Sequence, residues 1–144
     1  MKSRERIVVD TNVLVSRLLL PGSVPGKAVR AAVDGGTLLV SDATLEELAS
    51  VLSRPKFDRY VSKQDRERFL FLLARIAEPV AIADRVQVCR DPKDDKFLEV
   101  AVNGLADVVL KGDEDLLVLN PFRGVTIVGP ADYLARSPNR EGLE

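Results

Sequence analysis

The chain has 144 residues, 46% of them hydrophobic and 30% charged, with a formal net charge of −1 and no histidine. This balance predicts one folded domain with its own core, and it excludes both intrinsic disorder and recognition of nucleic acid by an overall positive field. The lack of histidine excludes Ser-His-Asp and Cys-His catalysis and zinc sites of the usual His/Cys kind, so any chemistry must rely on other side chains or a bound metal.

The first half of the chain alternates short apolar strands with amphipathic helices. A buried strand is predicted at residues 7–9, a short β-branched apolar run, and a second strand at 37–40. The helices are bounded by serine caps, glycines or prolines. They are predicted at residues 12–20, from Pro25 to Gly35, from Ser41 to Pro55 and from Ser62 to Pro79.

The second half continues the alternation, which predicts an α/β sandwich with a largely parallel sheet. The predicted domain covers residues 1–136, with a polar tail at 137–144. No apolar run approaches the length of a membrane span, and the N-terminus lacks the apolar stretch of a signal peptide, so a cytoplasmic protein is expected. The predicted elements are one or two strands within 80–88, a helix from Asp94 or Asp95 to Gly104, a strand at 107–110, a short helix at 115–119, a strand at 125–128 and a helical turn at 130–134.

Four acidic residues lie where a predicted strand ends or a predicted helix begins: Asp10, Glu47, Asp94 and Asp113. In a parallel sheet such points meet in the crevice outside the carboxyl ends of the strands. Carboxylates brought together repel, so a cluster of four needs cations, and Mg²⁺ or Mn²⁺ is the natural choice for oxygen ligands. The sequence therefore predicts a metal-dependent site for phosphate chemistry.

Each acid taken singly could instead be a helix cap or a solvent-exposed residue. Glu47 is preferred to Glu46 because it lies closer to the apolar face of its helix. Three further acids are interpreted as capping or supporting residues: Asp91, Asp95 and Asp115. The lone cysteine, Cys89, is interpreted as a small buried hydrophobe, since no histidine is present to activate it.

Three stretches resemble the PIN-domain ribonucleases, and within them the VapC-like branch of toxins from toxin–antitoxin pairs. They are VVDTNVLVSRLL at 8–19, SDATLEELASVLSRPKF at 41–57 and CRDPKDDKFLEVAVNGLADVVLKGDEDLLVL at 89–119. They occur in the family order, and the resemblance covers essentially residues 6–134. It implies a three-layer α/β/α sandwich with a central, mostly parallel sheet, and cleavage of RNA with Mg²⁺ or Mn²⁺.

The resemblance also implies roles for single residues. Asp10 corresponds to the first metal ligand and Asn12 to the residue that orients it by hydrogen bonding. Glu47 corresponds to the helix glutamate of the family, and Asp94 to the acid that precedes the fourth-helix alanine, here Ala101. Asp113 corresponds to the acid of the family's Thr-Gly-Asp turn, and Asp115 follows that turn.

One position departs from the family pattern. Lys111 stands before Gly112-Asp113, where the family usually has threonine or serine. Its ammonium could pair with the carboxylates and compete with the metal, or it could point away and contact RNA phosphate. Basic residues that could meet RNA near the same crevice are Arg17, Lys27, Arg30, Arg54, Lys56, Arg59 and Lys96.

The first functional hypothesis is a Mg²⁺- or Mn²⁺-dependent endoribonuclease that acts as a toxin, is inhibited by a cognate antitoxin and forms a homodimer. The alternative is a PIN scaffold that is impaired by Lys111 and binds RNA or protein. A third class, phosphatases and phospho-acceptor receiver domains, also clusters acids at strand ends. It is disfavoured because Asp10-Thr11-Asn12 lacks the second acid that those sites require.

Overall fold

A computed structural model describes the backbone of residues 4–112 and 117–141 and the side chains of residues 4–112 and 117–136. Within these ranges, five strands form a parallel sheet in the order β3-β2-β1-β4-β5. The central strand is β1, so the residue that follows it lies at the middle of one sheet edge. The strands are β1 (Glu5–Val9), β2 (Gly36–Val40), β3 (Glu78–Pro79), β4 (Val108–Leu110) and β5 (Thr126–Val128).

Helices cover both faces of the sheet and bury it on each side. Along β1, Ile7 and Val9 enter one core with helices α1, α2, α3, α4 and α6, while Val8 enters the other core with α5. This division confirms the predicted three-layer α/β/α sandwich. The helices are α1 (Thr11–Leu19), α2 (Val24–Gly35), α3 (Asp42–Leu52), α4 (Lys63–Ile76), α5 (Asp95–Asn103) and α6 (Pro130–Glu141), with 3₁₀ turns at Pro55–Phe57 and Pro92–Asp94.

The prediction of strands within residues 80–88 was wrong. Only the backbone N–H of Val80 continues the sheet, donating to Val40, and β3 ends before it. The following segment bonds instead to side chains of α5, because Asp95, Glu99 and Asn103 recur every fourth residue on one helix face. These three side chains accept the backbone N–H groups of Ala83, Asp84, Val86, Val88 and Cys89.

The last helix is longer than predicted, running to Glu141 instead of ending at Leu134. Tyr133 anchors it in the core, and Arg136, beyond the predicted end, forms an ion pair with Glu5 of β1. The short helix predicted at 115–119 begins outside the described residues. The boundary between domain and tail at residue 136 stays a prediction. No described helix combines the length and hydropathy that a membrane crossing requires.

Candidate functional site

The ends of β1 and β4 place Asp10 beside Lys111. Val9 and Leu110 are paired in register, and the Asp10 backbone N–H donates to the Leu110 carbonyl over 2.9 Å. The two residues that follow this pair are therefore fixed next to each other. Both are buried, each with 4% of its surface exposed. The Lys111 Nζ lies 3.0 Å from Asp10 Oδ1.

Asp94 approaches the same ammonium from the other side of the crevice. It ends the 3₁₀ turn Pro92–Asp94, which a proline at its first position favours, and it directly precedes α5. Its Oδ1 lies 3.3 Å from Lys111 Nζ, so one ammonium is shared by two carboxylates. Of the two outcomes left open for Lys111, the structure shows the pairing with carboxylates.

Glu47 lies on α3 and reaches the crevice from the β2 side. Ser41 fixes the start of this helix through a capping box with Thr44. The side chain of Thr11, at the first position of α1, is close enough to the Glu47 carboxylate to lower its pKa. The Lys96 ammonium forms an ion pair with the same carboxylate and also donates to the Lys93 carbonyl over 2.7 Å.

The sequence analysis missed two of these contributions. Lys96 was named only as a basic residue for RNA, and the Thr11 hydroxyl was not singled out. A signal for Lys96 was available, because it lies two residues after Asp94, within the first turn of the same predicted helix. Both ammonium groups also lie near the ring of Phe97, at 5.7 Å for Lys96 and 5.6 Å for Lys111.

The pKa shifts follow from burial and from these ion pairs. Burial raises the pKa of Asp10, and Asp94 and Glu47 add to the rise, while Lys111 opposes it. Burial alone would also raise the pKa of Glu47, but Lys96 and Thr11 outweigh burial and lower it. Burial alone would lower the pKa of Lys111. The attraction of Asp10 and Asp94 outweighs burial, so the pKa of Lys111 is raised. Lys111 is therefore an ammonium at neutral pH.

The carboxylate groups of this site are suitable ligands for a cation. Three carboxylates from three different elements face the crevice, and the Lys111 ammonium stands in for a cation shared by Asp10 and Asp94. Carboxylate oxygens are the ligands that hard divalent ions prefer. In the part of the chain that the structure describes, however, no three metal-ligating side chains lie close enough to form a ready ion site.

The predicted supporting residues have separate positions. The side chain of Asp91 accepts the backbone N–H of Lys93 and so caps the 3₁₀ turn. Asp95 accepts the N–H groups of Val88 and Cys89. The side chain of Asn12 is exposed, and no hydrogen bond joins it to Asp10 among the described residues. Two predicted residues, Asp113 and Asp115, lie outside the described residues.

Cys89 is half-buried and its thiol hydrogen-bonds to Asp95, which fits its interpretation as an inert residue. Burial and the Asp95 carboxylate raise the pKa of this thiol to about 12, against 9.0 for a free cysteine. We therefore expect iodoacetamide at pH 8.5 to alkylate the folded protein at least tenfold more slowly than the unfolded chain, because the thiolate is the nucleophile. The alkylation rate of the folded protein should rise with pH, because more of the thiol is ionised. Above pH 9 the unfolded chain also loses a proton that the folded thiol keeps, which lowers the free energy of unfolding. Equal rates with and without urea would contradict this expectation.

The comparisons with known proteins agree with this architecture. A PIN-domain family model matches residues 6–115, which is most of the chain. The chain belongs to the PIN-domain family. PIN domains are nucleases that typically use divalent metal ions, and the matched range includes Asp10, Glu47 and Asp94.

A relative and two solved structures resemble this PIN domain. It is 29% identical over 120 residues to MJ1680, an uncharacterized protein of Methanocaldococcus jannaschii, covering 82% of this chain and 77% of the relative. VapBC2 of Rickettsia felis, solved bound to a promoter DNA fragment, aligns with TM-score 0.60 and 10% identity over 86% of this chain and 98% of its own. PAE2754 of Pyrobaculum aerophilum aligns with TM-score 0.61 and 16% identity over 94% and 90%. At these identities the two structures show a shared fold.

Proposed function

We propose that this PIN domain is an endoribonuclease that hydrolyses RNA phosphodiesters with Mg²⁺ or Mn²⁺. The observation that carries the proposal is that Asp10, Glu47 and Asp94 all lie around the carboxyl edge of the sheet, each paired with a lysine ammonium, in a chain of a nuclease family. These three carboxylates, with Asp113 from the predicted Gly-Asp turn, would hold the metal. A bound divalent ion supplies an activated water and neutralises charge on the phosphodiester during cleavage.

The residues of the chain prepare the site for that chemistry. Asp10 is fixed by the pairing of β1 with β4 and is screened from water, which strengthens its attraction for any cation. The Thr11 hydroxyl and the Lys96 ammonium hold the Glu47 carboxylate ionised and oriented. Lys96 is also the basic group in this site with most freedom to meet an RNA phosphate, because its side chain is only partly buried.

The first test is cleavage of a mixed-sequence RNA by the purified protein with Mn²⁺, Mg²⁺ or EDTA. Exchanging Glu47 for glutamine should reduce the rate about 10- to 100-fold, because the change removes one negative charge without changing the side chain's shape. Glu46→Gln is the matched control, since Glu46 is the exposed neighbour on the same helix. This variant should cleave RNA at the wild-type rate.

Three results would contradict the proposal. Cleavage that persists in EDTA would exclude the metal, and equal losses in the two glutamine variants would exclude a specific role for Glu47. Equally fast cleavage of single-stranded DNA of the same sequence would argue against an enzyme specific for RNA.

A second candidate is a PIN scaffold without nuclease activity that works by binding RNA or protein. The specific observation in its favour is that the Lys111 ammonium already pairs with both Asp10 and Asp94. Such a scaffold should bind RNA equally well in Mn²⁺ and in EDTA and should leave it intact. Filter binding and gel analysis of the same samples distinguish the two functions.

For the cellular role we propose a cytoplasmic toxin that is inhibited by a cognate antitoxin and forms a homodimer. The fold shared with VapBC2 supports this role. An apolar surface on α4 is available for a protein contact, since Phe71 is 60% exposed and Leu72 and Ile76 are also exposed. Leu70, the neighbour of Phe71 on this helix, packs partly against the core.

A further inference from the structure

Lys111 is a buried charge whose backbone cannot move away from the site. Its N–H donates to the Val128 carbonyl of β5 over 3.0 Å, and β4 is paired on its other side with β1. Only the side chain can rearrange, and its ammonium lies over the buried ring of Phe97, 5.6 Å from the ring centroid. A lysine held in this way keeps its ammonium within reach of Asp10 and Asp94.

The geometry of that ammonium is the geometry of a cation bridging two ligands. Its Nζ lies 3.0 Å and 3.3 Å from the two carboxylate oxygens and donates a hydrogen bond to each. The Lys96 ammonium pairs with a single carboxylate, that of Glu47. Three carboxylates are thus matched by two ammonium groups, which leaves the described part of the site with a small net negative charge.

A buried carboxylate pair without a cation would be strongly destabilised, because two like charges in a poorly solvated site repel. A threonine or serine in place of Lys111 could not relieve that repulsion. The lysine can, and it does so without any ion from solution. While the ammonium lies between the two carboxylates, it also keeps a second cation from the position that it occupies.

We propose that the Lys111 ammonium is a tethered cation that permanently fills the cation position between Asp10 and Asp94 in place of a divalent ion. The inference rests on the proposed function in treating these carboxylates as cation ligands. It has two consequences. The protein is stable without divalent metal, and it binds one divalent ion fewer than the same site would bind without the lysine.

The test compares wild type with Lys111→Met and Lys111→Thr, using Lys93→Met as control, because Lys93 is an exposed lysine near the site. Methionine keeps most of the side-chain volume beside Phe97 and removes the charge. Thermal unfolding in EDTA and in Mn²⁺ reports stability, and calorimetric titration reports the number of Mn²⁺ ions bound.

We expect Mn²⁺ to raise the melting temperature of wild type less than that of either Lys111 variant, because wild type has one cation position fewer to fill. Both Lys111 variants should melt roughly 10 °C lower in EDTA, as is typical when one partner of a buried ion pair is lost, and should recover in Mn²⁺. Each should bind one Mn²⁺ more than wild type, and Lys93→Met should behave as wild type. An unchanged number of ions, or an unchanged melting temperature in EDTA, would overturn the proposal.

The number of ions bound by wild type separates this inference from the proposed function. One ion in wild type and two in the variants would support both. None in wild type and one in the variants would support the tethered cation while removing the metal-dependent nuclease.

If Lys111→Met does not fold in either solution, the double variant Asp10→Asn/Lys111→Met decides the question. It removes the ammonium and one of the two carboxylate charges that the ammonium separates, so it should fold in EDTA even though Asp94 keeps its charge. A double variant as unstable as the single one would overturn the proposal, since the lysine would then be needed for something other than its charge.

Discussion

Replacing Asp10 by asparagine should lower the rate of metal-dependent RNA cleavage by roughly a thousandfold. Asparagine has the same shape but no charge, and Asp10 is the most buried of the three described carboxylates. Its position after the central strand places it nearest the middle of the crevice. Single-turnover cleavage of a short labelled RNA in saturating Mn²⁺ measures the loss without a contribution from product release.

The matched control for this experiment is Asp42→Asn, an exposed acid in the first turn of α3 that should retain the wild-type rate. The Asp10 variant should remain folded, because Lys111 keeps Asp94 as an ion-pair partner, and circular dichroism would verify this. A rate within tenfold of wild type in a folded variant would remove Asp10 from the proposed site.

Truncation of Phe97 to alanine should cost about 3–5 kcal/mol in the free energy of unfolding. The ring is 1% exposed, belongs to the core between the sheet and α5, and supports both ammonium groups of the site. Its removal would leave a cavity, because the hydrogen-bonded strands of the sheet cannot move in to fill the space. Urea unfolding followed by circular dichroism gives the free energy directly.

Two variants bracket the Phe97 result. Phe97→Leu should lose about 1–2 kcal/mol, because most of the buried apolar volume is kept. Tyr60→Ala removes an aromatic side chain that is 69% exposed and should change stability by no more than about 0.5 kcal/mol. A cost below about 1 kcal/mol for Phe97→Ala would show that the ring is not a structural support of the site.

The sequence by itself determined the order of the elements outside residues 78–88 and the sheet edge at which Asp10 lies. Apolar runs such as Ile7–Val9 have a local period, and caps such as Ser41 and Ser62 act on the next turn of chain, so neighbouring residues suffice to predict them. The same locality explains why Asp10 and Asp94 were found, since each directly follows or precedes an element.

Only the tertiary structure decided how segments and charges pair across the fold. Residues 80–88 read as strands, but they lie against α5, whose Asp95, Glu99 and Asn103 take the hydrogen bonds that a sheet would otherwise make. The sequence showed that Lys111 was unusual without showing its partner. That partner depends on β4 lying beside β1, a contact across 101 residues, and it is this long-range pairing that turns a surface-type residue into a buried counterion.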